Sequence, residues 1–109
     1  MSNEPRVLKT PSAERDLLEI GDFIYRKSRH VGTALRFLDK IAARAHQHAR
    51  QPLMGEAFRS RHQVELRFFT IDAYVTIYRL VPDGIEIILV TRGTRRLSRL
   101  LRARLEEIE

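Results

Sequence analysis

At 109 residues the chain has room for one hydrophobic core and is too short for two. Its 43% hydrophobic and 31% charged residues exclude a disordered tail, and the lack of cysteine excludes disulfides, thiolate metal sites and cysteine nucleophiles. A net charge of +6, with lysine only at Lys9, Lys27 and Lys40 and arginine everywhere else, points to an anionic partner, either nucleic acid or an acidic protein.

No stretch approaches the roughly 18 apolar residues that span a bilayer. Met1 to Pro5 lacks the charged and apolar regions of a signal peptide, so a cytoplasmic location is expected. Arg6–Thr10 is extended in character, and Thr10 before Pro11 is a helix start, with a capping hydroxyl and then proline at the first helical position. Ala13, Leu17, Ile20 and Ile24 recur at helical spacing, with Glu14, Asp16, Glu19, Asp22 and Arg26 assigned to the outer face. This helix is expected to end near Arg29-His30. A second helix follows with Ala34, Leu38, Ile41, Ala45 and Ala49 on one side, and so short a link requires the two to pack antiparallel. Gln51-Pro52-Leu53-Met54-Gly55 stops it.

The hydrophobic period then changes. Val64–Phe68, Tyr74–Tyr78 and Ile85–Val90 alternate, with turns expected at Ile71-Asp72-Ala73 and Pro82-Asp83-Gly84. The last segment returns to helical spacing, placing Leu97, Leu100, Leu101, Leu105 and Ile108 on one face and Arg95, Arg99 and Arg102 on the other. The expected class is α+β, in a single domain: an N-terminal strand, an antiparallel helical hairpin on a mainly antiparallel four-stranded sheet, and a C-terminal amphipathic helix.

Several features in order, Thr10-Pro-Ser-Ala-Glu-Arg-Asp-Leu17 with Ile20, Gln51–Gly55, Tyr74-Val-Thr-Ile-Tyr-Arg79 and Ile85–Arg95, together resemble the ParE branch of the RelE/ParE toxins from about Lys9 to Arg96. The resemblance implies a small toxin neutralised by a cognate ParD/RelB-like antitoxin and working without a cofactor. RelE-like members cleave mRNA on the ribosome, whereas ParE-like members poison DNA gyrase and break no RNA bond. Arg67 and Arg95 match arginines that either mechanism carries. The position of the RelE-like C-terminal tyrosine is taken by leucines such as Leu101, and Arg92 replaces a histidine frequent in the ParE branch. The resemblance therefore favours gyrase inhibition, with a ribosome-dependent ribonuclease and a non-toxic binding domain as the alternatives.

Metal-free RNA cleavage needs a base, an acid and a cation at the phosphorane. Arginine supplies only the cation, because its pKa above about 12 makes it a poor proton carrier at neutral pH. The available proton carriers are His62, Tyr74 and Tyr78, the tyrosines being expected to pack on one sheet face. His46-Gln47-His48 does not read as a metal site, since residues two apart on a helix point to different faces. The glycines are too scattered for a phosphate loop, and no serine lies in a nucleophile motif. What remains is an arginine cluster in the second half. Arg67, Arg79, Arg92, Arg95 and Arg96 are expected to converge near one end of the sheet as a target-binding patch.

Overall fold

A computed structural model describes residues 4–58, 64–93 and 96–108. Strand β1 (Arg6–Lys9) runs into helices α1 (Pro11–Ser28) and α2 (Val31–Arg50). A single 3-10 turn at Pro52–Met54 leads to β2 (Glu56–Phe58), β3 (Leu66–Ile71), β4 (Tyr74–Val81) and β5 (Gly84–Arg92), and the chain closes with α3 (Leu97–Ile108). Among the described residues no helix is long and apolar enough to cross a membrane.

Local chemistry accounts for the boundaries. The Thr10 hydroxyl accepts the Ala13 amide at 3.1 Å with Pro11 in the first helical turn, and α1 stops where Arg29 turns left-handed at φ 60°. The β3–β4 turn reverses at Asp72, φ 53°. In the β4–β5 turn Pro82 holds its own φ negative while Asp83 takes φ 65°, a conformation that aspartate tolerates better than most residues.

The strands form one sheet in the order β1-β5-β4-β3-β2. Among the described residues it has five strands rather than the expected four, because Glu56–Phe58 pairs antiparallel with β3. Three residues beside a glycine carry no readable alternation, which is why that strand is silent in the sequence. The third strand begins at Leu66 rather than Val64 and extends to Ile71. β1 lies parallel to β5, and the other three pairings are antiparallel. The parallel pairing is tight: a side chain at Gly84 would run into the Arg6 backbone, so only glycine fits.

The sheet carries a core on each face. On one, the hairpin contributes Ala13, Ile20, Phe37, Ile41 and Ala45 against Phe69, Tyr74, Tyr78 and Ile87. On the other, Leu101 and Leu105 of α3 cover Leu66, Val75, Ile77, Ile88 and Leu89. A register shift at Ile77/Tyr78 breaks strict alternation, so Ile88 and Leu89, adjacent in sequence, both serve the α3 face.

Candidate functional site

The hairpin-facing half of the sheet holds a polar cluster inside an apolar shell. Tyr78 is fully buried, and its hydroxyl donates to the Pro52 carbonyl at 2.8 Å and accepts the Gly55 amide at 3.2 Å. His48 Nδ1 lies 3.1 Å from the same oxygen. Because the tyrosine proton is committed to Pro52, Nδ1 must be the donor, which places the neutral imidazole's proton there. The His48 ring stacks on Phe69 with centroids 4.6 Å apart. Burial, and then the nearby Arg44 guanidinium, hold its pKa below the ordinary 6.5. Burial likewise pushes the Tyr78 phenol up, against the smaller opposing pulls of the Gly55 amide and Arg67. At Gly55 a methyl group would fall on the Tyr78 hydroxyl. The loop after α2 is therefore fastened to β4 through one oxygen atom. A cleft of about 480 Å³ adjoins the cluster, with Arg44, His48, Met54, Phe68 and Thr70 in its walls.

Arg67 joins this structure from β3. Its Nη1 donates to the carbonyls of Gly55 at 2.7 Å and Leu53 at 3.2 Å, and its Nη2 pairs with Glu65 at 3.1 Å. Its Nε is buried and has no partner among the described residues. The guanidinium thus braces the Pro52–Gly55 turn, with Nη1 engaged by two backbone carbonyls and Nη2 by a carboxylate.

The other arginines do not converge on it. Arg67 sits opposite Tyr78 and shares the hairpin face, whereas Arg79 sits opposite Leu66 and shares the α3 face. Arg79 there pairs with Glu86 at 2.6 Å. Arg92 sits opposite Tyr74, five positions along β4 from Arg79, a separation of about 17 Å at ~3.4 Å per residue. Arg67, Arg79 and Arg92 are thus divided between two faces and two ends, because the register of β4 with β5 sends Arg79 and Arg92 in opposite directions. Arg92 is exposed and lies over the Phe23 ring, 5.8 Å from its centroid. Arg96 is exposed just ahead of α3, whereas Arg59, Arg61, His62 and Arg95 fall outside the described residues.

One side chain that pattern reading assigned elsewhere proves central. Asp16, expected on the outer face of α1, accepts the Val90 amide at 3.0 Å and forms a two-point ion pair with Arg104 of α3. Arg104 also reaches the Ile88 carbonyl at 3.0 Å and has its pKa raised, chiefly by the hydrogen bond to Asp16. Here β5 runs on beyond the end of β1, and the pair takes up backbone groups on that stretch. The Ser12 hydroxyl to Glu107 adds a second tie between α1 and α3. His48 belongs to the core, while His46 is exposed. The two histidines diverge as helix geometry requires, and among the described residues no cluster of three potential ligands occurs. His48 was legible in one respect: it falls three residues after Ala45 and seven after Ile41, on the stripe that faces the core.

Comparison with known proteins adds a second line of evidence. Residues 7–97 match the profile of a family described as the ParE toxin of the type II toxin-antitoxin system, parDE. Among solved structures, a chain of a chromosomal ParDE TA system from P. aeruginosa superposes with a TM-score of 0.66 at 20% identity, over 84% of this chain and 99% of that one. A likeness at that identity speaks for the fold. A search of curated protein sequences returned no significant match.

Proposed function

The chain belongs to the ParE toxin family of type II toxin–antitoxin systems, and we propose that it inhibits DNA gyrase by binding and is held inactive in the cytoplasm by an acidic cognate antitoxin. The observation that carries the choice between binding and RNA cleavage is the state of Arg67 and Tyr78. A nuclease needs a guanidinium free to meet a phosphorane and a proton carrier within reach of it. Here Arg67 is tied to Gly55, Leu53 and Glu65, and the buried Tyr78 phenol donates its hydrogen bond to the Pro52 carbonyl. Leu101, near where a RelE-like tyrosine would stand, is likewise buried, between α3 and the sheet.

In this reading Arg67 and Arg79 are structural cations, and the target is met by the exposed Arg92, Arg96 and the neighbouring Arg95. The purified chain is expected to suppress supercoiling by gyrase, or to trap its cleaved-DNA complex, while leaving translation in a cell extract intact. Replacing Arg92 and Arg96 together by alanine should raise the inhibitory concentration about tenfold or more with the fold unchanged. Cutting of ribosome-bound mRNA would replace this reading with the ribonuclease one. Loss of neither activity from the extract and the gyrase assay would leave a non-toxic binding domain.

A further inference from the structure

We infer that the cleft beside the Tyr78 cluster is a binding site for a small phosphate monoester with an aromatic body, held by Arg44 and by the second ring nitrogen of His48. Nδ1 of that imidazole is engaged by the Tyr78 hydroxyl, and Nε2 has no hydrogen-bond partner among the described residues. The residue as a whole is 4% exposed. Among the described residues the one fully buried side-chain nitrogen or oxygen that lacks a partner is Arg67 Nε, so Nε2 is not sealed in the core and opens on the cleft that His48 lines. With the ring fixed by Tyr78 on one side and stacked on Phe69, Nε2 is a preorganised acceptor that calls for an O–H or N–H donor.

Arg44 narrows the chemistry of the ligand. It lies one turn before His48 on α2, is exposed, lines the same cleft and has no ion pair among the described residues. Its guanidinium calls for an oxyanion, while Nε2 calls for a hydrogen. An ionised carboxylate or a sulfate monoester has no hydrogen to give, whereas a phosphate monoester that keeps one proton offers both. Met54 and Phe68 add apolar wall, and about 480 Å³ leaves room for a ring beyond the phosphate. Glu56 in the same wall opposes further negative charge, which favours one phosphate over two or three.

Binding at this site carries a proton with it. The charged and titratable groups around the imidazole are Arg44 on its own helix, Tyr78 from β4, Arg67 from β3 beside the phenol, and Glu56 of β2 across the cleft. Burial and then Arg44 keep the free imidazole neutral near pH 7, and burial keeps the Tyr78 phenol protonated. A phosphate monoester has lost its second proton above about pH 6. Association near neutrality therefore takes one proton from solvent and places it between a phosphate oxygen and Nε2. The affinity falls as pH rises, by up to about tenfold per unit above roughly pH 7. The site lies apart from the Arg92–Arg96 end and does not rest on what the toxin inhibits.

The test uses the full chain with phenyl phosphate as the probe and phenyl sulfate and inorganic phosphate as controls. Binding is followed by calorimetry in two buffers of different ionisation heat, and the His48 ring nitrogens by NMR. Phenyl phosphate is expected to bind about tenfold or more tightly than either control, with uptake of close to one proton at about pH 7.5 and a shift at Nε2 that leaves Nδ1 protonated. Arg44→Ala, at an exposed position, should weaken binding about tenfold. His48→Gln keeps a donor for Tyr78 and should abolish the proton uptake; the NMR shift and Arg44→Ala test the site even if that variant folds poorly. The inference is overturned if phenyl phosphate does not bind, if phenyl sulfate binds as well, if no proton is taken up, or if Nε2 does not shift and Arg44→Ala changes nothing. Gyrase inhibition is read in a separate assay, so failure of either claim leaves the other standing.

Discussion

The Tyr78 cluster and the Asp16–Arg104 pair both tie distant parts of the chain to the sheet, one with neutral groups and the other with full charges. In the cluster a phenol, an imidazole and two backbone groups exchange hydrogen bonds inside the core. In the pair a carboxylate and a guanidinium, 11% and 18% exposed, hold α3 against α1 and β5. Neutral partners cost less to desolvate, so they can lie deep, whereas a charged pair near the rim is stable only while both halves remain. The deep cluster fixes a loop, and the rim pair fixes a helix.

Breaking the charged tie should produce the largest effect. Asp16→Ala removes the acceptor of the Val90 amide and leaves Arg104 without its partner, an expected loss of about 3 kcal/mol in urea unfolding. A loss below about 1 kcal/mol would mean that Arg104 finds water at no cost, and that α3 is held by Leu101 and Leu105 instead. Next in size, Tyr78→Phe leaves the Gly55 amide and Pro52 carbonyl without their partner, at about 2 kcal/mol. It should also speed proteolysis in the Pro52–Gly55 turn, and unchanged cleavage there would show that Arg67 braces the turn alone.

The neutral cluster should further have a pH signature. Unfolded His48 takes up a proton as pH falls through about 6.5, while the folded residue resists because its pKa is lowered. The stability linked to it is therefore complete above that pH, declines as pH falls below it, and levels off once pH passes the folded value. His48→Gln keeps a donor for Tyr78 and removes the titration, so it should flatten this part of the curve. An unaltered slope would place the proton uptake on another group. The smallest effect is expected at Arg26, whose pair with Asp22 is 69% and 62% exposed. Arg26→Ala should change stability by about 0.3 kcal/mol or less, and a larger change would mean that surface charge matters here more than either tie.

The elements themselves were legible because each has a periodic apolar face or an explicit punctuation mark. Thr10-Pro11 opens α1, Gln51–Gly55 closes α2, and Asp72 and Asp83 sit at the two reversals. The family resemblance was also legible, since it depends on the order of these same signals. Long-range chemistry was not. Nothing local in Glu-Arg-Asp-Leu distinguishes Asp16 from Glu14 or Glu19, and its role comes from Arg104, 88 positions away. The placement of Arg67, Arg79 and Arg92 was not legible for a related reason: sequence gives strand content but not the register that separates Arg79 from Arg92. His48 lay hidden because a polar residue on an apolar stripe is discounted until its partners are visible.

The parallel pairing of β1 with β5 also bears on how the protein is made. Of the five strands β1 leaves the ribosome first, and among the described residues it pairs with β5, the last of them, with Arg6 opposite Gly84. Helices α1 and α2 can form early from local contacts, but the closing of that pair must wait for most of the chain and bear the entropy of a long loop. A nascent chain halted before Gly84 is expected to show helical exchange protection in the hairpin and none at Arg6 or Thr10. Synthesis of β5 would thus be the event that converts a loose helical hairpin into a finished sheet.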